Sequence, residues 1–366
     1  MKTFDEVFVD KTKFGIKIKT SEYRESGKYI IIDQSQSRIA GYTDEEYGVF
    51  KEIPVIVFGD HTRVIKYVDE PFYLGADGIK VLRSKDDNAN YKYLYYALKN
   101  AKILDTGYNR HFKWLKEVQI NYPDYEEQKK IVKILDEILD VISKRKEELK
   151  ALDDLIKARF VEMFGNPVLN DKGWEQKSLG EITTKIGSGA TPKGGKEAYQ
   201  EEGITLIRSM NVHNGQFEYK DLAHISDEQA SKLDNVTIEE DDVLLNITGA
   251  SVARSCVVPN EILPARVNQH VCIIRCKDCI IPEFLNKLLI DDNYQDLLWS
   301  IAGSGATRES ITKQQVENLQ IILPMLELQK EFMAFCHQVT KSKVVVQKAL
   351  DETQLLFDSL MQQYFG

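Results

Sequence analysis

Residues 123–129 read Pro-Asp-Tyr-Glu-Glu-Gln-Lys, and residues 324–330 read Pro-Met-Leu-Glu-Leu-Gln-Lys. The segments they open also close alike, on Met163-Phe164-Gly165 and Tyr364-Phe365-Gly366. Pro123 matches Pro324, Gln128 matches Gln329, Lys129 matches Lys330 and Leu149 matches Leu350, each pair 201 residues apart with no gap. An ungapped echo of this length marks an internal duplication, and a duplication sets the architecture before any single element does.

Both segments read as long helices. In the first, Ile131, Leu135, Ile138, Ile142, Leu149, Leu152, Ile156 and Met163 follow alternating steps of four and three, with charges between them. That is a coiled-coil heptad seam, interrupted where Arg145 and Arg159 take seam positions. Asp124 and Glu127 are spaced as an N-cap and its partner three residues on. Shifted by 201, the seam becomes Phe332, Cys336, Val339, Val346, Leu350, Phe357, Leu360 and Tyr364, with Lys343 and Thr353 as polar interruptions. Met325 stands where the first copy has its cap. About 39 residues at about 1.5 Å each make a rod of about 58 Å. Matched lengths and seams predict two rods packed on each other, rather than two core helices of one large globule.

Outward from the rods, residues 1–122 predict a mixed domain. Residues 28–33, 54–58 and 63–68 are β-rich runs between turn signals, and 72–82 reads as two strands around Gly75 and Gly78. Residues 91–104 read as a helix. Residues 166–323 repeat that order with longer loops: strands at 204–208, 242–247 and 266–275, and a helix within 282–301. Each half then passes through a Gly-x-x-Arg turn, Gly107-Tyr-Asn-Arg110 or Gly305-Ala-Thr-Arg308, towards Pro123 or Pro324. The predicted order is α+β: a domain at 1–122, a helix at 123–165, a second domain at 166–323 and a second helix at 324–366.

Composition narrows the function. The 366 residues are 43% hydrophobic and 29% charged, enough for two domains with proper cores. The absence of an 18-residue apolar run, and of a signal-peptide core at the start, predicts a cytoplasmic protein that does not enter a membrane. Cys272, Cys276 and Cys279 lie close together after His270, but the pattern reads as reduced thiols rather than zinc ligands. The net charge is −9. Residues 1–122 hold 20 Lys+Arg against 18 Asp+Glu, and residues 166–323 hold 15 against 23. Phosphate attraction supplies much of nucleic-acid affinity, so a DNA-binding reading needs locally placed cations or a partner that brings them.

Catalytic motifs are missing. There is no G-x-x-x-x-G-K-[ST] loop, no G-x-S-x-G elbow and no H-E-x-x-H. Glu239-Glu-Asp-Asp242 precedes a strand, where carboxylates hold Mg²⁺ in some nucleases; a solvated turn is the simpler reading. Binding chemistry on loops remains. Glycines between Lys185 and Lys196 allow backbone N–H groups close to phosphate, with Lys193 and Lys196 supplying charge. Arg208 and Asn211 end a strand and suit guanine and adenine edges. Ser251, Arg254, Arg266 and Arg308 extend this set, as do the polar Asn268 and Gln269. In the first domain the candidates are Lys17, Lys19, Gln34, Gln36, Arg38, His61, Arg63, Asn109 and Arg110.

The Gly-x-x-Arg turn followed by Pro-x-x-Glu-x-Gln-Lys, with Asp242-Val-Leu-Leu-Asn-Ile-Thr-Gly249 and Arg266-Val-Asn-Gln-His-Val271, resembles the specificity subunit of type I restriction-modification systems. The resemblance spans the chain. It implies a non-catalytic subunit whose two target-recognition domains each read half of a bipartite duplex DNA site. Two long antiparallel helices would act as the ruler between them. It also implies two methyltransferase subunits as partners, using S-adenosylmethionine that this chain does not bind, with restriction subunits as further partners. Gln128, Lys129, Gln329 and Lys330 become partner-contact candidates. A coiled-coil scaffold for other proteins, and a metal-dependent nuclease built on Glu239–Asp242, are the competing readings.

Overall fold

The computed structural model describes residues 1–76, 78–107, 109–191, 195, 199–303 and 309–366. It divides into two compact units: Met1–Glu148 with Val346–Gly366, and Leu149–Val345.

The first unit runs β1 (Lys2–Thr3), α1 (Phe4–Val7), β2 (Phe8–Asp10), β3 (Tyr29–Ile32), β4 (Gly41–Thr43), β5 (Val55–Gly59), β6 (Ile65–Val68), β7 (Phe72–Leu74), β8 (Ile79–Ser84), α2 (Tyr91–Asn100), α3 (Phe112–Leu115) and β9 (Gln119–Ile120), then enters the long helix α4 (Tyr125–Phe164). The second runs β10 (Gln176–Ser178), β11 (Thr183–Ser188), β12 (Ile204–Ile207), β13 (Val212–His213), β14 (Gln216–Phe217), β15 (Ala223–Ile225), α5 (Asp227–Ser231), β16 (Val243–Asn246), β17 (Ser255–Val257), β18 (Ala265–Val267), β19 (Val271–Cys276), α6 (Pro282–Leu289), α7 (Asp292–Gly303), α8 (Lys313–Glu317) and β20 (Gln320–Ile322), ending in α9 (Leu326–Phe365).

The duplication holds strand by strand. Among the described residues, the first unit has a sheet in the order β2-β8-β5-β6, a second in the order β4-β3-β7 and the pair β1-β9. The second unit repeats them as β11-β19-β16-β17, β15-β12-β18 and β10-β20, and adds the hairpin β13-β14. In each three-stranded sheet the last pairing, β3 with β7 or β12 with β18, is parallel. The central strands explain why these sheets form. Val55-Ile-Val-Phe-Gly59 is buried at every position, as is Val243-Leu-Leu-Asn246, so both faces of each are covered by apolar neighbours.

The two long helices contribute one part to each unit. The Asp124 carboxylate accepts the Glu127 N–H at 2.9 Å, as an N-cap should. Every residue named on the two seams is buried or half-buried. In the second unit Lys343 pairs with Asp153, and Arg159 donates to Glu331 at 2.9 Å. Rising numbers on one helix meet falling numbers on the other, so the helices are antiparallel. Arg159 and Lys343 are thus matched by carboxylates across the helix pair, and Arg145 by Glu148 on its own helix at 3.3 Å, which is how a polar residue on a seam is tolerated.

Helix ends are anchored by aromatic rings. Phe164 sits 5.0 Å from Phe284 and 5.5 Å from Phe332, centroid to centroid, and the Trp174 indole donates to the Phe164 carbonyl at 3.0 Å. Its echo, Phe365, lies 5.1 Å from Tyr93 in the first unit, where Asn121 donates to the Tyr364 carbonyl at 3.0 Å. Asp136 on α4 accepts from both Tyr96 and Lys92, fastening α2 to the helix.

Two elements differ from expectation. The helix predicted to reach residue 104 ends at Asn100, because Ala101 is extended. The run at 266–275 is two strands in different sheets. Asn268 breaks it: its side chain accepts the His270 N–H at 3.0 Å while its own N–H donates to Ile207 at 3.0 Å.

Truncating Phe164 removes a fully buried ring from the meeting point of α4, α6 and α9. Phe164→Ala should destabilise the protein by about 3–5 kcal/mol, measured by urea unfolding. Phe365→Ala, at a half-buried position, should cost less. Equal losses would contradict this account of the anchoring.

Candidate nucleic-acid interface

Because β3 and β7 are parallel, both end at one edge of their sheet, and the residues following them share it. The extended segment around Lys17 pairs in parallel with Leu74 and continues the same sheet. Gln34, just after β3, accepts the His61 N–H at 3.2 Å, and the Thr62 hydroxyl donates to the Gln34 carbonyl at 2.6 Å. This ties the loop after β3 to the β5–β6 turn. Gly78 closes the same corner at φ +94°; a Cβ there would lie 2.8 Å from the Gln34 amide and 2.9 Å from the His61 ring.

A third loop joins through Asp60. Its carbonyl accepts the His111 N–H at 2.8 Å and its carboxylate accepts the Phe112 N–H at 2.8 Å. The buried His111 ring places Nδ1 3.1 Å from the Asp60 carbonyl, which requires Nδ1 to carry the proton. That brings Asp105 to Arg63, whose guanidinium donates to it at 2.7 Å while the Gly107 N–H donates to its other oxygen at 2.9 Å. The Gly107 N–H and the Arg63 charge hold the Asp105 carboxyl below its usual range. Beside Arg63 lies an open groove of about 600 Å³, lined by Gln36, Arg38, Lys66, Tyr67 and Tyr95. Buried Lys66 donates to the Ser37 carbonyl at 2.6 Å, bracing the loop that carries Gln36 and Arg38; burial pulls its pKa down.

Gln34, Gln36, Arg38, His61 and Arg63 are therefore brought together. Asn109, which donates to the Thr106 carbonyl, and exposed Arg110 lie on the third of these loops. Arg38 is also paired with Asp69 at 3.4 Å and Glu70 at 3.2 Å. Exposed Lys19 follows the Lys17 segment, whereas Lys17 itself lines a separate groove with Lys13 and Lys80.

In the second unit the equivalent edge collects the ends of β11, β12, β16 and β18. Thr191 donates to Gln269, the Gln269 amide faces His270 Nε2 at 3.1 Å, and His270 Nδ1 meets the Thr248 hydroxyl. Arg208 donates to the Asp221 carbonyl and lies 5.5 Å from the Tyr199 ring centre. Ser251 and Arg254 are half-buried on the β16–β17 turn. Lys193, Lys196 and Arg308 lie outside the described residues.

Several expectations need correcting. Asn211 does not reach outward: it is fully buried, its amide donating to the Glu218 carbonyl at 3.0 Å and the Lys220 carbonyl at 3.2 Å. Arg266, 9% exposed, is taken by Asp234 at 2.8 Å and the Ala230 carbonyl at 3.3 Å. Both shape the loops from within. Gln128 and Gln329, 2% and 0% exposed, are not presented to a partner. Each donates to the proline carbonyl five residues before it, Pro123 at 2.9 Å and Pro324 at 2.8 Å, so the echoed Gln clamps the entry to each long helix. Lys129 and Lys330 are exposed beside them. Asp242 is not part of a solvated turn. It is 0% exposed, caps the turn through the Glu239 N–H at 2.8 Å and takes Arg275 on both oxygens at 2.8 Å. Burial pushes the Cys272 and Cys276 thiols up to about 12, leaving them protonated at neutral pH.

Sequence reading missed Asp105, Thr191, Thr248 and His270. The Asp-Thr-Gly at 105–107 is a turn signal that places a carboxylate on a loop. What it meets is decided by chain folding from residue 63, which no local pattern carries.

Two equivalent polar loop edges, one on each duplicated domain and both built onto paired long helices, define a two-headed binding protein. The family model described as the type I restriction modification DNA specificity domain matches residues 2–151 and 171–352. The EcoR124I/EcoR124II type I restriction enzyme specificity subunit of Escherichia coli is 23% identical over 88% of this chain and 81% of its own length. The EcoBI specificity subunit of Escherichia coli is 22% identical over 95% and 81%. The solved S subunit from M. genitalium has a TM-score of 0.60 at 17% identity, covering 100% of this chain and 95% of that one. The chain belongs to the type I restriction-modification DNA specificity family, and is a non-catalytic DNA-recognition subunit working with methyltransferase and restriction subunits. Among the described residues, no helix is long and apolar enough to cross a membrane.

Removing Asp242 leaves Arg275 without its buried partner. Asp242→Ala should destabilise the second unit by about 3–5 kcal/mol, measured by urea unfolding. A change below about 1 kcal/mol would contradict the structural role.

Proposed function

We propose that this chain reads a split DNA target, one half-site for each unit, with α4 and α9 setting the length of the unread gap. It positions two methyltransferase subunits, which bring S-adenosylmethionine and methylate adenine. Restriction subunits join the same assembly. One observation carries this reading: the two units repeat the same sheet orders and present loops at the same strand ends, while those loops differ in sequence and length. A common frame with different edges is what two readers of two different half-sites need. The acidic balance fits a subunit whose partners supply cations around the duplex.

The reading is tested by mapping modified bases in cells that express this chain with its methyltransferase. A split motif, present only with this chain, is expected. An active methyltransferase without any such motif would favour the scaffold reading.

The ruler makes a separate prediction. Deleting seven residues within 135–142, and the matching seven from α9, keeps the heptad seam and shortens each helix by about 10 Å. At about 3.4 Å per base pair, the gap in the methylated motif should shrink by up to about three base pairs. An unchanged gap in a variant that still methylates rules out the ruler.

A further inference from the structure

The β5–β6 turn of the first unit and the β16–β17 turn of the second each place a left-handed residue just before the second strand, with different side chains there. Arg63 has φ +60° and Ala253 has φ +70°. The Arg63 N–H donates to the Gly59 carbonyl at 2.7 Å, and the Ala253 N–H donates to the Asn246 carbonyl at 2.9 Å. One residue further, Gly59 donates to Val64 at 2.8 Å and Asn246 donates to Arg254 at 2.8 Å. The two left-handed residues are therefore equivalent by position, although the second turn is three residues longer.

Left-handed backbone favours glycine or asparagine, and arginine at such a position is strained. The ion pair that Arg63 makes with Asp105 does not explain its presence, since both groups are partly open to solvent and such pairs add little stability. A strained residue kept at a loop edge points to a function for its side chain. The surroundings favour a reading role. Gln34 on one side and Asp105 and Phe112 on the other fix the turn, through His61, Arg63 and Asp60, so the guanidinium is held rather than floppy. Asp105 takes one terminal nitrogen, leaving other N–H groups of the fork for a ligand. Arginine's parallel N–H pair matches the O6 and N7 acceptors of guanine in the major groove.

Resting on the split-target reading above, we propose that Arg63 is a specificity-determining residue that contacts a guanine in the half-site read by the first unit. Asp105 orients its fork. The equivalent Ala253 cannot make that contact, so the second unit reads its half-site with other groups on its longer turn.

The test uses the complex of this chain with its methyltransferase, binding duplexes that carry the mapped motif or single base-pair changes in it. Arg63→Gly keeps the left-handed turn and removes the fork. It should lose about 10- to 100-fold of the discrimination at one G·C pair in one half-site, leaving discrimination in the other unchanged. Arg63→Lys keeps the charge but not the fork, and should lose discrimination at the same pair while the salt dependence of binding stays. Three results would overturn the assignment with the split-target reading intact: a first-unit half-site without a G·C pair, unaltered discrimination in Arg63→Gly, or a uniform loss across all sequences with a shallower salt slope, the signature of a phosphate contact. If the unaltered complex shows no split motif at all, the underlying reading fails as well.

Discussion

The structure depends on the docking of each long helix's last aromatic residue. Phe164 closes the second unit against Phe284 and Phe332, and Phe365 closes the first against Tyr93. Helix α4 leaves the first domain and ends in the core of the second unit; α9 leaves the second domain and ends in the first unit. Each unit is thus completed by the beginning of one helix and the end of the other. Neither domain has its full complement of contacts without both helices. This accounts for the echo at residues 123–165 and 324–366. The clamping Gln at the helix entry and the Phe at its exit are fixed by packing, while the residues between need only keep a seam.

The same constraint leaves the loop edges free to differ. Sheet order, parallel pairing and strand ends are set by buried runs such as Val55-Ile-Val-Phe-Gly59 and Val243-Leu-Leu-Asn246. Apart from anchors such as Ile247, Val252 and Ala253, the loops that follow those strands stay outside the core, so their length and remaining side chains change at little cost to stability. The second unit uses that freedom for a longer β16–β17 turn, the β13-β14 hairpin and a hydrogen-bonded run from Thr191 through Gln269 and His270 to Thr248. Many edge cations are held by carboxylates or carbonyls, as Arg63 is by Asp105 and Arg208 by the Asp221 carbonyl. Fixing a guanidinium before binding reduces the side-chain entropy lost on contact.

The helices and the duplication were legible because both leave periodic traces. Seam residues recur every three or four positions, and the repeat recurs at 201, so Leu135, Phe332 and Phe357 could be placed on the buried face from spacing alone. Polar residues were not separable in that way. Asn211, Arg266, Gln128 and Gln329 look like contact residues in sequence, yet each is consumed by internal carbonyls or, for Arg266, also by the exposed carboxylate of Asp234. Burial of a polar side chain depends on partners distant along the chain: Asp234 for Arg266, Cys279 and Ile281 for Gln329. The same non-locality hid Asp105 as the partner of Arg63, 42 residues away.

The most direct test of a common frame carrying two independent readers is domain exchange. Residues 1–122 would be replaced by the corresponding domain of another member of the family, and the methylated motif mapped in cells with the methyltransferase. Independent readers predict that one half of the motif changes to a new sequence while the other half and the gap stay as they were. A hybrid that methylates efficiently but leaves both halves unchanged, or alters both together, would contradict the account.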